Sequence, residues 1–248
     1  MARLTALVDP HRLEVALNAA PGDLHPDAAY IVRKQLEEAD LVLVNKTEAL
    51  TATETSVLRK KVEDALPGRD VRCISALAGL GVEEWLAAAQ GEGVAGGRIL
   101  DVDYDRYAAG EAALGWLNTR RTLACTGPAA DWQAFCGVLM GALRDALDQR
   151  MLPIGHLKLL LSTDEGHLVA SLTRAGGAIS CFGRTGPSRE ADLVLNARVE
   201  TTPDDLESIV RRALAAAAGS DLRVTIQAIR ALRPGRPVPT FRYTEAVG

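Results

Sequence analysis

The segment Ala39-Asp40-Leu41-Val42-Leu43-Val44-Asn45-Lys46-Thr47-Glu48 sets an amide, an ammonium and a carboxylate within four residues of each other, directly after an apolar run. A run of only Leu and Val reads as a strand buried on both faces of a parallel sheet, and ligands of open α/β sheets bind at the carboxyl edge of such strands. Asn45, Lys46 and Glu48 therefore stand where a ligand would be met, with hydrogen-bonding and charged groups of three different kinds. A second polar turn, Cys73-Ile74-Ser75-Ala76-Leu77, follows one helix and one strand later and continues into Gly79-Leu80-Gly81-Val82-Glu83-Glu84-Trp85-Leu86. Either turn alone is an ordinary way to leave a strand; the pair, in this order, carries the information.

The rest of the chain offers less chemistry. His156 and His167 fall on a hairpin turning at Asp164-Glu165-Gly166, which sets His167 opposite Ser162 and His156 opposite Thr173, so the two rings do not converge on a metal. His11 and His25 have no neighbours at ligand spacing. The cysteines Cys73, Cys125, Cys136 and Cys181 are separated by 52, 11 and 45 residues without a C-x-x-C pair, the pattern of free thiols in a reducing cytoplasm. No Ser-His-Asp or Cys-His set emerges. No G-x-x-x-x-G-K-[ST] occurs either: Gly137 and Gly141 lie inside a helical stripe, and neither is followed by Lys-Ser/Thr. Without that loop there is no backbone cradle for phosphates, no phosphate lysine and no Mg²⁺-binding hydroxyl.

Charge and hydropathy set further bounds. The 248 residues carry 28 basic and 32 acidic side chains, a net of −4, so no bulk positive field recruits nucleic acid. Locally, Arg223, Arg230, Arg233, Arg236 and Arg242 occur with no acid between them, a +5 stretch that reads first as a solvated edge strand and tail. Asp9, His11, Arg12 and Glu14 interrupt the N-terminal apolar stretch, and no later run reaches the ~18 apolar residues of a membrane span. The expectation is a soluble, cytoplasmic chain with no membrane partner.

The elements that must position the two turns follow from periodicity. Leu4–Val8, Leu41–Val44 and Val71–Ile74 read as strands, alternating with helices near Asp27–Glu38, Thr53–Leu66 and Val82–Ala89. Thr51 followed by Glu54 has capping-box spacing, with Val57, Leu58, Val62, Ala65 and Leu66 on one face. Four glycines between Gly91 and Gly97 suggest a junction. Residues 1–93 hold 10 basic and 15 acidic side chains, a net of −5, against 18 and 17 in residues 94–248, a net of +1. The expected division is a partial α/β domain over 1–93, a linker over 94–112 and an α+β domain over 113–248. In the last, a strand around Leu114–Cys125 leads to a helix near Asp131–Arg150, whose stripe Trp132, Phe135, Leu139, Leu143, Leu147 steps by 3, 4, 4 and 4. The hairpin, a strand Ala191–Val199, a helix opened by Thr202-Pro203 and a strand Leu222–Leu232 complete a split βαβ, ferredoxin-like (βαββαβ) order.

The two turns resemble the N-K-x-D and S-A-L/K motifs of GTPases. On that resemblance Asn45 braces loop and base, the Lys46 stem covers the base plane, Glu48 takes the place of the Asp that accepts two guanine N–H bonds, and a backbone N–H at Ser75-Ala76 meets the guanine oxygen. With Val8-Asp9 ending the first strand, Lys34-Gln35-Leu36-Glu37-Glu38-Ala39-Asp40 before the second, Asp103-Tyr104-Asp105-Arg106-Tyr107, Leu114-Gly115-Trp116-Leu117-Asn118 and His156-Leu157-Lys158, the chain is similar to the CobW-type GTPases. That family is associated with metal delivery and with cobalamin or metalloenzyme maturation. The likeness covers roughly residues 4–118 by motif. It departs from the family in lacking the phosphate loop, the C-x-C-C metal motif and the acidic residue before switch II, all of which would lie upstream of residue 1; the expected chain begins near the middle of the family's G domain.

The resemblance implies half of a doubly wound P-loop GTPase domain followed by the family's C-terminal domain. It implies base-directed, weak binding of GTP or GDP at Asn45, Lys46, Glu48, Ser75 and Ala76, no GTPase activity by the chain itself, and no assigned metal. Partners would be a second copy or a polypeptide carrying the P-loop half, meeting the underfilled sheet, and a metalloenzyme client. The alternative is a non-catalytic interaction or regulatory module that works through its ferredoxin-like domain.

Overall fold

The computed structural model describes residues 3–18, 25–91 and 97–238. The chain divides into two compact units that part between Gly110 and Glu111, the second ending at Gly235.

In the first unit, β1 (Thr5–Val8), β2 (Leu41–Val44) and β3 (Asp70–Cys73) form a parallel sheet in the order β1-β2-β3, with Leu7 beside Leu43 and Val44 beside Cys73. Crossover helices link them: α1 (Pro10–Asn18) and α2 (Pro26–Glu38) between β1 and β2, α3 (Ala52–Ala65) between β2 and β3, then α4 (Val82–Gln90). The sequence reading has no helix over 10–18, because it takes Asp9 only as an interruption. Here Asp9 caps α1, its Oδ1 accepting from the Arg12 N–H at 2.9 Å, with Pro10 in the first turn. The α3 capping box is complete, with Thr51 and Glu54 bonded reciprocally.

The two faces of this sheet are covered unequally. Val42, Val44 and Val71 pack with Leu13 and Ala16 of α1, Leu36 of α2 and Leu58 and Val62 of α3. On the other face Leu41, Leu43 and Ile74 pack with Val82, Trp85 and Ala88 of α4. Leu7 belongs to this second face, on the edge strand β1; α4 reaches that strand at its start, where Trp85 Nε1 donates to Thr5 Oγ1 at 3.4 Å, while Leu7 stays 60% exposed.

The glycine-rich junction falls largely outside the described residues, at 92–96. The segment read as a linker contains a helix, α5 (Tyr104–Ala113), whose start is capped by Asp103 Oδ1 accepting from the Asp105 and Arg106 N–H groups, both at 3.0 Å. Gly110 lets α5 approach α2 closely, since a β-carbon there would strike the Asp27 carbonyl and come within 2.8 Å of Ile31 Cδ1.

The second unit is a six-stranded antiparallel sheet in the order β7-β6-β5-β8-β4-β9, with two helices on one face. Along the chain run β4 (Gly115–Cys125), α6 (Trp132–Asp148), β5 (Ile154–Thr163), β6 (Gly166–Leu172), β7 (Ser180–Arg184), β8 (Glu190–Val199), α7 (Pro203–Ala218) and β9 (Leu222–Leu232). The α6 stripe is buried as its spacing requires, with Trp132 crossing Phe135 edge to face at 5.8 Å. Ser162 pairs with His167. Strand β7 has no counterpart in the sequence reading: all five of its residues are exposed, so it lacks the apolar alternation by which strands are recognised.

Among the described residues no group of three or more His, Cys, Asp or Glu side chains is placed to hold a metal ion. No helix among them is long and apolar enough to cross a membrane.

Candidate functional site

The carboxyl edge of the parallel sheet is where the two polar turns meet. Strand β2 continues its ladder for one residue past Val44, the Asn45 N–H donating to Val8 O at 2.9 Å. The chain then turns sharply. Lys46 takes a left-handed conformation (φ 68°, ψ 32°) and starts a 3₁₀ turn over Thr47–Ala49. For a residue with a β-carbon that conformation costs about 1–2 kcal/mol, so neighbouring contacts must hold it. Thr47 supplies them: its N–H and its Oγ1 both donate to Ile74 O, at 3.2 and 2.8 Å, tying the first turn to the end of β3.

The second turn is closed by its own bonds. Ile74 N–H donates to Val44 O at 2.8 Å, and Ser75 and Leu80 exchange backbone hydrogen bonds at 3.0 Å each. Ser75 is fully buried, and its Oγ accepts from the Ala78 N–H at 3.1 Å. Gly79 and Gly81 adopt positive φ, and a β-carbon on Gly81 would sit 3.0 Å from Cys73 O, so the chain needs glycine there to pass back under β3 and start α4.

A second side-chain bond joins the two turns, beside that of Thr47 Oγ1. Asn45 Oδ1 accepts from the Ala76 N–H at 2.9 Å across 31 residues. The five residues singled out from the sequence thus share one sheet edge in different postures. Lys46, Glu48 and Ala76 are exposed, Asn45 is half-buried, and Ser75 is buried and bonded within its own loop. Ser75 shapes the turn that presents Ala76. Of the backbone N–H groups at Ser75-Ala76, where the resemblance places the guanine oxygen, that of Ala76 is held by Asn45 and that of Ser75 by Leu80 O in this geometry. Thr47, the unspecified third residue of the motif, is the contributor that the sequence reading passed over; only the position of the Ile74 carbonyl reveals its part.

The cysteine at the end of β3 is not an activated nucleophile. Burial pushes the Cys73 thiol above its ordinary range, more than the nearby Arg59 cation can draw it down. What the arrangement offers is recognition: an outward ammonium, an outward carboxylate and a backbone turn braced by an amide.

No family model and no curated protein matches this chain. Solved structures that match the chain include the following two. The Zn(II)-bound YjiA GTPase from E. coli shares 13% identity over 86% of this chain with a TM-score of 0.27, and a Zn(II)-bound triple mutant of YjiA shares 15% over 87% with a TM-score of 0.28. The chain spans 61% and 60% of those two chains.

Proposed function

We propose that this chain is a CobW-like relative that carries the guanine-reading half of a GTPase domain and a ferredoxin-like second unit, and that it does not hydrolyse GTP by itself. The observation that carries the reading is the Asn45–Ala76 bond, which joins the N-K-x-E turn to the S-A-L turn at one sheet edge. The sequence, with no G-x-x-x-x-G-K-[ST], supplies no phosphate cradle. The second unit supports the same reading. Strands β4 and β5, joined by α6, flank β8, while β8 and β9, joined by α7, flank β4, giving a four-strand order β9-β4-β8-β5 with β6 and β7 added at the edge.

Retained affinity would then be for the base, with GTP or GDP bound weakly and guanosine almost as well as the triphosphate. Base binding requires the Ala76 N–H to leave Asn45, or a neighbouring group of the loop to take its place. Calorimetric titration tests this: guanosine should bind and adenosine should not, Asn45→Ala should abolish binding, and Glu48→Asp should tighten it by restoring the shorter carboxylate of the family motif. A large gain from the triphosphate over guanosine, or steady GTP turnover by the pure chain, would overturn the reading.

The engaged Ala76 N–H favours one rival, in which the first unit is scaffold and the protein acts as a regulatory or interaction module; absence of any guanosine binding would favour it over the guanine-reading one. A role in metal delivery would depend on a partner supplying the phosphate-binding half and on a metalloenzyme client. The docking place we propose for a P-loop partner or a second copy is the edge of β1. There Leu4 and Leu7 are 46% and 60% exposed, and a cavity of about 310 Å³ opens between β1 and Val32, Gln35 and Leu36 of α2. Leu7→Asp is the fitting test by sedimentation, because Val8 and Leu43 are buried and their substitution would unfold the sheet instead.

A further inference from the structure

The second unit presents a whole sheet face that its own helices leave uncovered. Helices α6 and α7 pack on the side carrying Leu117, Leu123, Leu157, Leu195 and Leu168. Strand alternation sends the intervening residues to the opposite side, and the pairing register aligns them in rows across the sheet. One row is apolar: Val194 pairs with Leu160, Leu160 with Val169, and Val169 with Phe182. Leu160, Val169 and Phe182 are 39%, 39% and 46% exposed. With strands about 4.8 Å apart, these four side chains make an apolar band ~14 Å long.

The surroundings of the band are cationic. In the adjoining row Arg230 pairs with Asn118, Asn118 with Asn196, and Asn196 with Lys158. Arg120 stands at the β4 end of the band beside Val194, and Arg184 lies next to His167 in the row on its other side. All four cations are exposed. The carboxylate of Asp192 in that outer row is already bonded to Arg120 at 2.9 Å and to Thr122 at 3.0 Å. Arg198, further along β8, lies over the Trp116 ring at 3.8 Å and faces Glu111. A chain of net charge −4 thus concentrates exposed positive charge around an apolar band on one face.

We propose that this face docks an acidic, amphipathic polypeptide segment of a partner protein, whose apolar side chains lie along Leu160, Val169 and Phe182 and whose carboxylates meet Lys158, Arg230 and Arg184. Charge complementarity selects the sign of the partner, and a band with a single aromatic ring selects a polypeptide over a single-stranded nucleic acid. Nucleobases need aromatic platforms at successive positions. Here Trp116 on β4 is capped by Arg198, and Phe182 is four strands away on β7.

The test is fluorescence anisotropy of the full chain with a labelled synthetic peptide of repeated Leu-Glu-Glu-Ala, beside the same peptide with Lys for Glu and a single-stranded oligothymidylate of equal charge. The acidic peptide should bind with salt-sensitive affinity. Binding should weaken at least tenfold in the Lys158→Glu, Arg230→Glu double variant and, separately, in Leu160→Ser, with circular dichroism unchanged in both. Equal binding by the folded variants, tighter binding of the oligothymidylate or the lysine peptide, or no binding of the acidic peptide would overturn the proposal. So would concentration-dependent self-association abolished by the same substitutions, which would assign the face to a second copy.

Discussion

Replacing Arg121 by methionine should stabilise the second unit. Arg121 lies on β4 between Thr119 and Leu123, on the side of the sheet covered by helices, and is 2% exposed. Its Nε and Nη2 are buried without a hydrogen-bond partner. Burial, and then the nearby Arg211 cation, push its guanidinium pKa down, opposed by Glu207. Glu207 itself is bonded to Arg211, its Oε1 accepting from Nε at 2.7 Å. A buried donor left unpaired costs about 1–3 kcal/mol, and exchanging a buried ionic group for an apolar one of similar volume has been worth roughly 1–4 kcal/mol. Two such donors, partly compensated by the field of Glu207, lead us to expect a gain of about 1–3 kcal/mol for Arg121→Met, which keeps the long unbranched stem. Urea denaturation followed by tryptophan fluorescence, to which Trp132 in the same core and Trp116 on β4 contribute from this unit, is the assay. With a slope of about 1–3 kcal/mol per molar, the midpoint should rise by roughly 1 M at unchanged slope. A lowered midpoint in a variant of native circular dichroism would refute the reasoning, because it would mean that the guanidinium is paired and contributes favourably.

Three further outcomes are expected. Gly110→Ala should destabilise the first unit by about 1–3 kcal/mol despite the better helix propensity of alanine, because the added methyl meets the Asp27 carbonyl; a neutral result in thermal unfolding would mean that α5 and α2 are not in that contact. Cys136, whose thiol is pushed up to about 12 by burial and then by Cys181, should resist iodoacetamide at pH 8 until the chain unfolds, while exposed Cys181 is labelled at once, as peptide mass mapping would report. Burial works to raise the Asp70 pKa, but the hydrogen bonds from Arg72 and Arg3 together outweigh it and hold the carboxyl below its ordinary range. A depressed folded pKa stabilises the protein above the unfolded value of about 3.9, and that contribution is lost as pH falls through the folded value. Asp70→Asn should flatten this part of the acid titration of stability, and an unchanged pH profile would contradict it.

Function and fold are linked here by coverage. The first unit supplies three helices to one side of its sheet and one to the other, which leaves Leu7 at an open edge strand. Such edges associate unless they are charged, bulged or covered. The second unit covers one side of its sheet and leaves the other an apolar band rimmed by exposed cations. Both proposals rest on what a layer of secondary structure must do with the surface that its own chain does not bury.

Local signals in the sequence reached far into the fold. The apolar run at 41–44, the strand read at 71–74, the Thr51–Glu54 box, the Thr202-Pro203 start of α7 and the stripe from Trp132 to Leu147 each have their cause within a few residues, and they appear nearly where periodicity and capping chemistry set them. Asp9-Pro10 carried the same kind of signal for α1, hidden because an acidic residue reads equally well as a break in an apolar stretch. The sequence alone also determined that this chain has no phosphate loop, since that motif is defined by contiguous residues. Tertiary structure decided the rest. Asn45 and Ala76 are 31 positions apart, and only the parallel pairing of β2 with β3 brings the amide to the N–H. Exposed β7 acquires its strand from the partner β6 beside it. The apolar row from Val194 to Phe182 exists because the register of four strands aligns residues from three separate segments of chain; alternation within a strand tells which side a residue takes, and pairing between strands tells what stands next to it.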